Sequence, residues 1–300
     1  MTISTTHRIL GVGATLALLT SALTACAPES GSVAGSLELH GHTIELSDEL
    51  AERVPEEWKG GIKVPIQVLR PNAFVDEDGE TVGLQPDLLR AIGTKLGIDI
   101  TLEVAPFDAQ IPGVQANQYA FTTATGDFPE RRKILTMVNY TIAGAGWLAP
   151  ADSQISSVDD ICGSTIGVAK GTATEVVVES FVEECKAKGF DETNYISFSN
   201  TLMTVPLEAD RIDITYDSIS SVVHFANTES DKFKMIGGHD HVSAISFGVV
   251  AGEQAKAELL RDTLQELFDE GVYSSVFDAW GLSELMLKGI YINGEGLVFD

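Results

Sequence analysis

The sequence predicts an α/β fold made of two lobes, and three observations carry this prediction. Apolar residues recur with helical spacing in some segments and with strand spacing in others, and the two kinds of segment alternate. The alternation occurs in two stretches that meet at Leu148-Ala149-Pro150-Ala151. The 275 residues that follow residue 25 are also enough for one large or two medium domains with a substantial buried core.

Residues 1–25 predict a secretory signal peptide. Arg8 is their only fixed charge, and the uncharged run Ile9 to Leu23 that follows is shorter than the ~20 apolar residues of a membrane-spanning helix. The segment Leu23-Thr24-Ala25-Cys26 resembles the bacterial lipobox. We expect Cys26 to be lipidated and to anchor the protein to the cell membrane on its extracytoplasmic side. An ordinary cleavage site beside a cysteine is the alternative.

Residues 26–60 are predicted to form this lipid anchor and a flexible tether, because small and polar residues dominate 27–36. The acidic stretch after them has room for a short helix. We expect convincing order to begin with a strand at Lys63 to Leu69.

The first lobe then shows a turn, a helix and a second strand. The turn is Asp76-Glu77-Asp78-Gly79, and Pro86 opens a helix that Gly97 ends. From Ile98 to Val104 apolar and polar residues alternate strictly, which predicts a strand with one solvated face.

The second stretch repeats this rhythm, and a return segment follows it. The predicted elements are strands at 164–169, 195–198 and 212–216, a helix at 174–186, a final strand at 244–250, and helices at 254–270 and 273–280.

The cysteines predict one disulfide. If Cys26 is lipidated, Cys162 and Cys185 remain as an even pair in an oxidising compartment. Two buried thiols are the alternative. Because the sequence has no Cys-x-x-Cys motif and no Cys/His cluster, we expect no metal site and no cofactor.

The charge balance excludes two classes of partner. With 44 acidic against 19 basic residues, the formal net charge is −25. Nucleic acids require a basic footprint, and anionic lipid surfaces attract basic segments, so neither is an expected partner of the folded body.

Six segments between Gly61 and Trp280 together resemble family 3 solute-binding proteins of polar amino acid ABC transporters. Each segment alone is weak, but their order and spacing are specific. They are Phe74-Val75-Asp76-Glu77-Asp78-Gly79, Gly83-Leu84-Gln85-Pro86-Asp87-Leu88, Pro106-Phe107-Asp108-Ala109-Gln110-Ile111-Pro112, Pro129-Glu130-Arg131, Gly167-Val168-Ala169-Lys170-Gly171-Thr172 and Asp213-Ile214-Thr215-Tyr216-Asp217-Ser218.

The resemblance implies a periplasmic-binding-protein-like fold of type II, with a ligand cleft between lobes joined by two hinge crossings. The first lobe would comprise residues 61–149 and 244–285, and the second residues 150–243. Residues 286–300 would be a C-terminal extension.

The resemblance also implies a charged clamp for an amino acid. Arg131 would hold the carboxylate from the first lobe, and Asp217 the ammonium from the second. Thr172 matches the carboxylate-binding loop. The other ligand-binding candidates are the aromatic walls Phe107 and Phe74, with Ala124, Gly126 and Asp127.

The chain departs from the family pattern at two places. Gly126 stands where the family usually has a hydroxyl residue, and Pro71-Asn72-Ala73-Phe74 lacks the aromatic residue that commonly precedes Pro-Phe. These departures leave the identity of the amino acid open. Asp127 would allow a cationic side chain or an amine-bearing ligand.

Each site residue also has a plain structural interpretation. Thr172 and Glu175 fit a helix-capping box, and Asp217 is placed to cap a helix from Ser218 onward. Arg131 precedes two further basic residues and could belong to a solvated basic face. Phe107 and Phe74 could be core residues.

The function that follows is solute capture for an ABC importer, with the permease and ATPase complex as partners. We expect a monomer without enzymatic activity. One alternative is an enzyme resembling cyclohexadienyl dehydratase, for which His239-Asp240-His241 is the only suggestive cluster. The other is a lipoprotein that senses without delivering solute.

Overall fold

The computed structural model describes residues 35–170, 172–199 and 202–298. In that part of the chain the helices are α1 (Asp48–Glu52), α2 (Leu84–Leu96), α3 (Phe107–Gln115), α4 (Pro129–Arg132), α5 (Ala173–Ala187), α6 (Thr204–Glu208), α7 (Ile219–Thr228), α8 (Gln254–Asp269) and α9 (Val272–Ala279). The strands are β1 (Ser36–Leu39), β2 (His42–Glu45), β3 (Ile62–Ile66), β4 (Phe74–Val75), β5 (Thr81–Val82), β6 (Ile100–Val104), β7 (Thr122–Gly126), β8 (Leu135–Pro150), β9 (Thr165–Ala169), β10 (Asn194–Phe198), β11 (Ile214–Ser218), β12 (Phe233–Val250) and β13 (Tyr291–Ile292).

Two long antiparallel strands, β8 and β12, run through both lobes. At one end β12 pairs with β7, and β8 pairs with β13. At the other end β8 pairs with β11, which continues through β9 to β10. The pairing of β12 with β8 is irregular between Ile236 and Ser246, where the strands pass from one lobe to the other. Bulges bend a strand pair, so the strands change direction along this stretch.

The predicted hinge crossings near residues 149 and 243 correspond to these two strands. On β8, pairing with β11 begins at Ala145. The lobe boundaries at 149/150 and 243/244 stay predictions.

The first lobe packs helices over a sheet. Strand β3 pairs in parallel with β6, and the Ala120 amide donates to the Lys63 carbonyl beside it. Helix α2 begins at Leu84, two residues before Pro86, and ends where Gly97 adopts a left-handed conformation at φ 66°. The apolar face of α2 is buried, as its helical spacing predicted.

The second lobe has a smaller core. Strands β9, β10 and β11 lie side by side, and α5 covers them with Val178 and Val182. The predicted disulfide is present: Cys162, after a 3-10 turn at Val158–Ile161, is joined to Cys185 on α5.

Three local predictions differ from the structure. Residues 36–58, placed in the tether, contain the β1–β2 hairpin, α1 and a 3-10 turn at Glu56–Trp58. The hairpin turns at His40 and Gly41, and Ile44 is fully buried. Strand β3 ends at Ile66 rather than Leu69. Val104, predicted to face inward, is 61% exposed, because it ends β6, whose one described partner is β3.

No helix in the described part of the chain is long and apolar enough to cross a membrane. No group of three His, Cys, Asp or Glu side chains there is arranged to hold a metal ion.

Candidate functional site

Arg131 lies on α4, one turn after β7 ends at Gly126. Its Nη1 donates to the Gly126 carbonyl at 3.0 Å, and its Cζ lies 5.3 Å from the ring centre of Phe107 and 5.1 Å from that of Phe128. No carboxylate of the described residues forms an ion pair with it. Burial lowers the pKa of the Arg131 guanidinium from its ordinary value, yet an arginine stays charged in proteins. The site therefore holds a partly desolvated cation that has no ion-pair partner among the residues the structure describes.

Gly126 makes room for this arrangement. A Cβ atom at this position would lie 2.8 Å from Cε2 of Phe128 and 3.1 Å from Nη1 of Arg131. Any larger residue would displace one of these two side chains. The missing hydroxyl noted in the sequence is thus explained by the close approach of Phe128 and Arg131.

Asp127 does not have the free carboxylate that the sequence analysis assigned to a cationic ligand. Its Oδ1 accepts from Arg132 Nε at 2.5 Å, and its Oδ2 accepts from Asn139 Nδ2 at 2.8 Å. Its side chain is only 2% exposed. Because both oxygens are engaged inside the first lobe, this carboxylate stabilises residues 126–133, the turn and short helix that carry Arg131, which we call the Arg131 loop.

The C-terminal extension completes the same network, which sequence reasoning missed. The Gly294 amide donates to Asn139 Oδ1 at 2.8 Å, and the Met137 amide donates to Asn293 Oδ1 at 2.9 Å. Strand β13 pairs with Asn139 and Val138 on β8. Asn139 is fully buried, so its bonds bring residues 127, 139 and 294 together. A polar residue within the apolar run of β8 was the available signal.

Asp217 lies near the end of β11, opposite Gly146 of β8. Its Oδ1 accepts from its neighbour's amide, Ser218 N, at 2.7 Å. Burial raises the pKa of the Asp217 carboxyl, and the Ser218 hydrogen bond partly offsets that rise. No cation of the described residues forms an ion pair with it. Ser218, not Asp217, is the N-cap residue of α7, so the capping interpretation does not hold.

Thr172 is the N-cap of α5. Its hydroxyl accepts from the Glu175 amide at 3.4 Å and donates to the Ala169 carbonyl at 2.6 Å. The Glu175 carboxylate accepts from Ser197. The Thr172 half of the predicted capping box is present, and the Thr172 side chain is exposed on the second lobe.

The aromatic candidates separate into two places. Phe107 lies beside Arg131, as predicted, and exposed Phe128 was not foreseen. Phe74 instead packs edge-on against Trp280, with ring centres 5.7 Å apart, and Arg70 Cζ lies 3.8 Å above its ring. Phe74 therefore has local partners of its own, apart from the Arg131 group.

A cavity of about 170 Å³ lies between the lobes at the hinge, and we call it the hinge cavity. Ala124 lines it from the first lobe, Ser218 from the second, and 142–144 from β8. Asn72 Nδ2 donates to Ser220 Oγ at 2.9 Å across it. Two predicted features lie outside what the structure describes. Cys26, the predicted lipidation site, precedes residue 35, and the side chains of the His239-Asp240-His241 cluster are not described.

Comparison with known proteins gives one family match. The family described as bacterial extracellular solute-binding proteins, family 3, matches residues 62–283. The arginine-binding protein ArgT of Corynebacterium glutamicum is 25% identical over 233 residues, 76% of either chain. The histidine-binding periplasmic protein of Escherichia coli K12 is 25% identical over 228 residues, 69% of this chain and 84% of the relative.

Solved structures of similar fold include two amino acid receptors. An ancestral cationic amino acid solute-binding protein superposes with a TM-score of 0.65 at 19% identity, covering 78% of this chain and 98% of that one. The open L-cystine receptor of Neisseria gonorrhoeae gives 0.59 at 20% identity, covering 81% of this chain and 100% of that one. At such identities the likeness shows the fold alone, and it confirms the predicted two-lobed fold of type II.

Proposed function

The chain belongs to the bacterial extracellular solute-binding proteins of family 3, and we propose that it captures an amino acid for an ABC importer. The observation that carries the proposal is the pair of unmatched charges. Arg131 on one lobe and Asp217 on the other are both partly desolvated, and neither has an ion-pair partner among the described residues. A zwitterion supplies the two charges that they lack.

In this proposal Arg131 binds the carboxylate. A guanidinium presents parallel N–H groups that match two carboxylate oxygens. The Gly126 bond and the Phe107 and Phe128 rings fix its plane, so little side-chain freedom is lost on binding. Thr172, at the start of α5, would add the second lobe's contact to the same carboxylate.

Asp217 binds the ammonium. Desolvation disfavours the ionised carboxylate in the empty protein, and an ammonium beside it would reverse that effect and lower its pKa. Because the two charges lie on different lobes, the second contact forms only on closure, and the ligand therefore selects the closed state.

Delivery follows from the family's place in transport. The closed, loaded protein would dock on a permease and ATPase complex, as a monomer held to the cell membrane by lipidated Cys26. The curated relatives are named as binding proteins, which disfavours the enzyme alternative.

Replacing Cys26 with Ser should move the protein from the membrane fraction to the soluble fraction, and unchanged membrane retention would contradict the anchor.

The test is a thermal-shift screen of the purified protein with the common L-amino acids, followed by calorimetry on those that stabilise it. A ligand at 100 times its Kd should stabilise the fold by about 2.7 kcal/mol. The methyl ester of the best ligand tests the Arg131 contact, and its N-acetyl derivative tests the Asp217 contact. Both derivatives should bind far more weakly. Stabilisation by no amino acid, or by the ester as strongly as by the acid, would contradict the proposal.

A further inference from the structure

The hinge cavity is placed to receive the ligand's side chain. It adjoins Ser218, the neighbour of Asp217, and Ala124, two residues before Gly126 on β7. Residues of both lobes and of β8 line it, so closing the cleft would enclose whatever it holds. The cavity is therefore the space in which we place the side chain of a ligand held by Arg131 and Asp217.

The described walls of the cavity are uncharged. Among the residues whose side chains the structure describes, no carboxylate, ammonium, guanidinium or imidazole lines it. Its polar groups are amides, hydroxyls and one phenol, and the remainder is mainly aliphatic. The polar lining residues are Gln67, Asn72, Gln85, Tyr140, Thr141, Ser218 and Ser220.

One wall also has an unused hydrogen-bond acceptor. Gln85 is 3% exposed, and its Nε2 donates to the Tyr140 hydroxyl at 3.0 Å. Its Oε1 is buried without a hydrogen-bond partner. Buried polar atoms are nearly always satisfied, so an acceptor left over beside a cavity indicates a donor belonging to the occupant.

A cationic side chain would find no counter-charge among the described side chains that line the cavity. Asp127 is already paired with Arg132 and Asn139, and the ammonium group of the ligand claims Asp217. Enclosing an unpaired cation among aliphatic and amide groups is costly, whereas an amide or hydroxyl needs only neutral hydrogen bonds.

We infer that this protein selects an amino acid with an uncharged polar side chain, ending in an amide or hydroxyl, and discriminates against cationic ones. The inference rests on the proposed function. It separates this chain from the relatives named for binding arginine and histidine. The walls formed by Gln67, Asn72 and Gln85 set the preference.

The test is calorimetry of the full protein with glutamine, asparagine, serine, threonine, methionine, glutamate, arginine, lysine and histidine. The best amide or hydroxyl amino acid should bind ~30-fold or more tightly than any cationic one, the ratio expected when a charge is left buried and unpaired. A cationic, acidic or aliphatic amino acid in first place overturns the inference alone. If none of these amino acids binds, both this inference and the proposed function are overturned.

A charge introduced into the cavity should invert the ranking. Gln67→Glu places a carboxylate in the wall, and we expect the ratio of lysine or arginine affinity to glutamine affinity to rise ~10-fold or more. Gln154→Glu is the matched control, because it adds the same charge at an exposed position of the second lobe outside the cavity. Equal ratios in the two variants would mean that Gln67 does not contact the side chain, and would overturn the placement of the subsite.

Discussion

The two halves of the candidate site are held in place in different ways. In the first lobe, the loop that carries Arg131 is tied by the buried contacts of Asp127 and Asn139 and by the C-terminal segment at Gly294. In the second lobe, Thr172 is exposed, and the recorded side-chain hydrogen bond of Asp217 is to its neighbour's amide.

The hydrophobic cores also differ, and again the first lobe is the more extensively packed. The larger apolar cluster fills the first lobe and extends to α6 and α7, whereas the cluster under α5 is small and has the Cys162–Cys185 disulfide beside it. The comparison indicates that the first lobe is the more preorganised half. In the proposed mechanism it binds the ligand first, and the second lobe completes the site on closure.

The largest effect is expected from removing the preorganised cation. Arg131→Ala leaves the ligand carboxylate desolvated and unpaired, which should weaken binding by about 2–5 kcal/mol, or ~30-fold to several-thousand-fold. The melting temperature of the empty protein should change little, because the guanidinium forms no ion pair within the described part of the chain. Lys133→Ala, an exposed position on the same loop, is the control for calorimetry. Parent-like affinity in Arg131→Ala would contradict the clamp.

The second lobe should depend on its disulfide. Replacing both Cys162 and Cys185 with Ser releases a loop of 23 residues, which the chain-entropy model values at about 3 kcal/mol. Hydrogen exchange should then speed up in α5, β9 and β10 and stay unchanged in α2 and β3. The parent protein under the same conditions is the reference. Equally faster hydrogen exchange in both lobes would show that the disulfide stabilises the whole fold rather than the second lobe alone.

The first lobe should depend on Asn139. Asn139→Ala leaves one Asp127 oxygen and the Gly294 amide without partners, so we expect a loss of about 1–3 kcal/mol in the free energy of unfolding. Ligand affinity should fall by less than in Arg131→Ala, because the cation remains but its loop is looser. Asn227→Ala, which removes an exposed hydrogen bond to Gly281, is the control. Unchanged stability would show that the network does not support the loop.

The smallest effect on stability is expected at Asp217, where we expect a substitution to stabilise the protein. Burial raises the pKa of this carboxyl, so ionising it destabilises the empty fold above its folded-state pKa, and the cost disappears as the pH falls below its unfolded value. Asp217→Asn should therefore stabilise the empty protein at neutral pH by about 0.5–2 kcal/mol while weakening ligand binding.

Thermal unfolding at several pH values measures this difference. The advantage of Asp217→Asn over the parent should shrink as the pH falls toward 4, near the ordinary pKa of an aspartate. Ser197→Ala, which also removes a partly buried polar contact of the second lobe, is the comparison. An advantage that grows on acidification would contradict the assignment of the raised pKa to desolvation.

Local periodicity predicted most of the framework because it depends on neighbours in sequence. The helical spacing around Leu88 and Leu96 placed α2, and the strand predicted at 164–169 corresponds to β9. The β1–β2 hairpin was missed because only Leu37, Leu39 and Ile44 mark it within a polar segment. Its Gly41 turn and the alternation around it were the available signals.

The site could be predicted only in part, since burial and pairing are tertiary properties. The resemblance supplied Arg131 and Phe107, which the structure brings together. The sequence analysis offered Asp127 as a partner for a cationic ligand. Its pairing with Arg132 and Asn139 could not be foreseen, because that pairing depends on how β8 lies against the Arg131 loop. The uncharged walls of the hinge cavity come from segments far apart in the chain, and no local pattern marks them.

The hairpin at the start of the described chain has a mechanical consequence. Its first strand lies against α2, and His40 Nε2 is 2.7 Å from Asp87 Oδ2 on that helix. Tension in the preceding chain would therefore be transmitted to the first lobe before it could reach β8 or β12. If Cys26 anchors the protein as proposed, a pull on the chain before residue 35 would then act on the first lobe alone. The free energy of closing the second lobe would not depend on that pull.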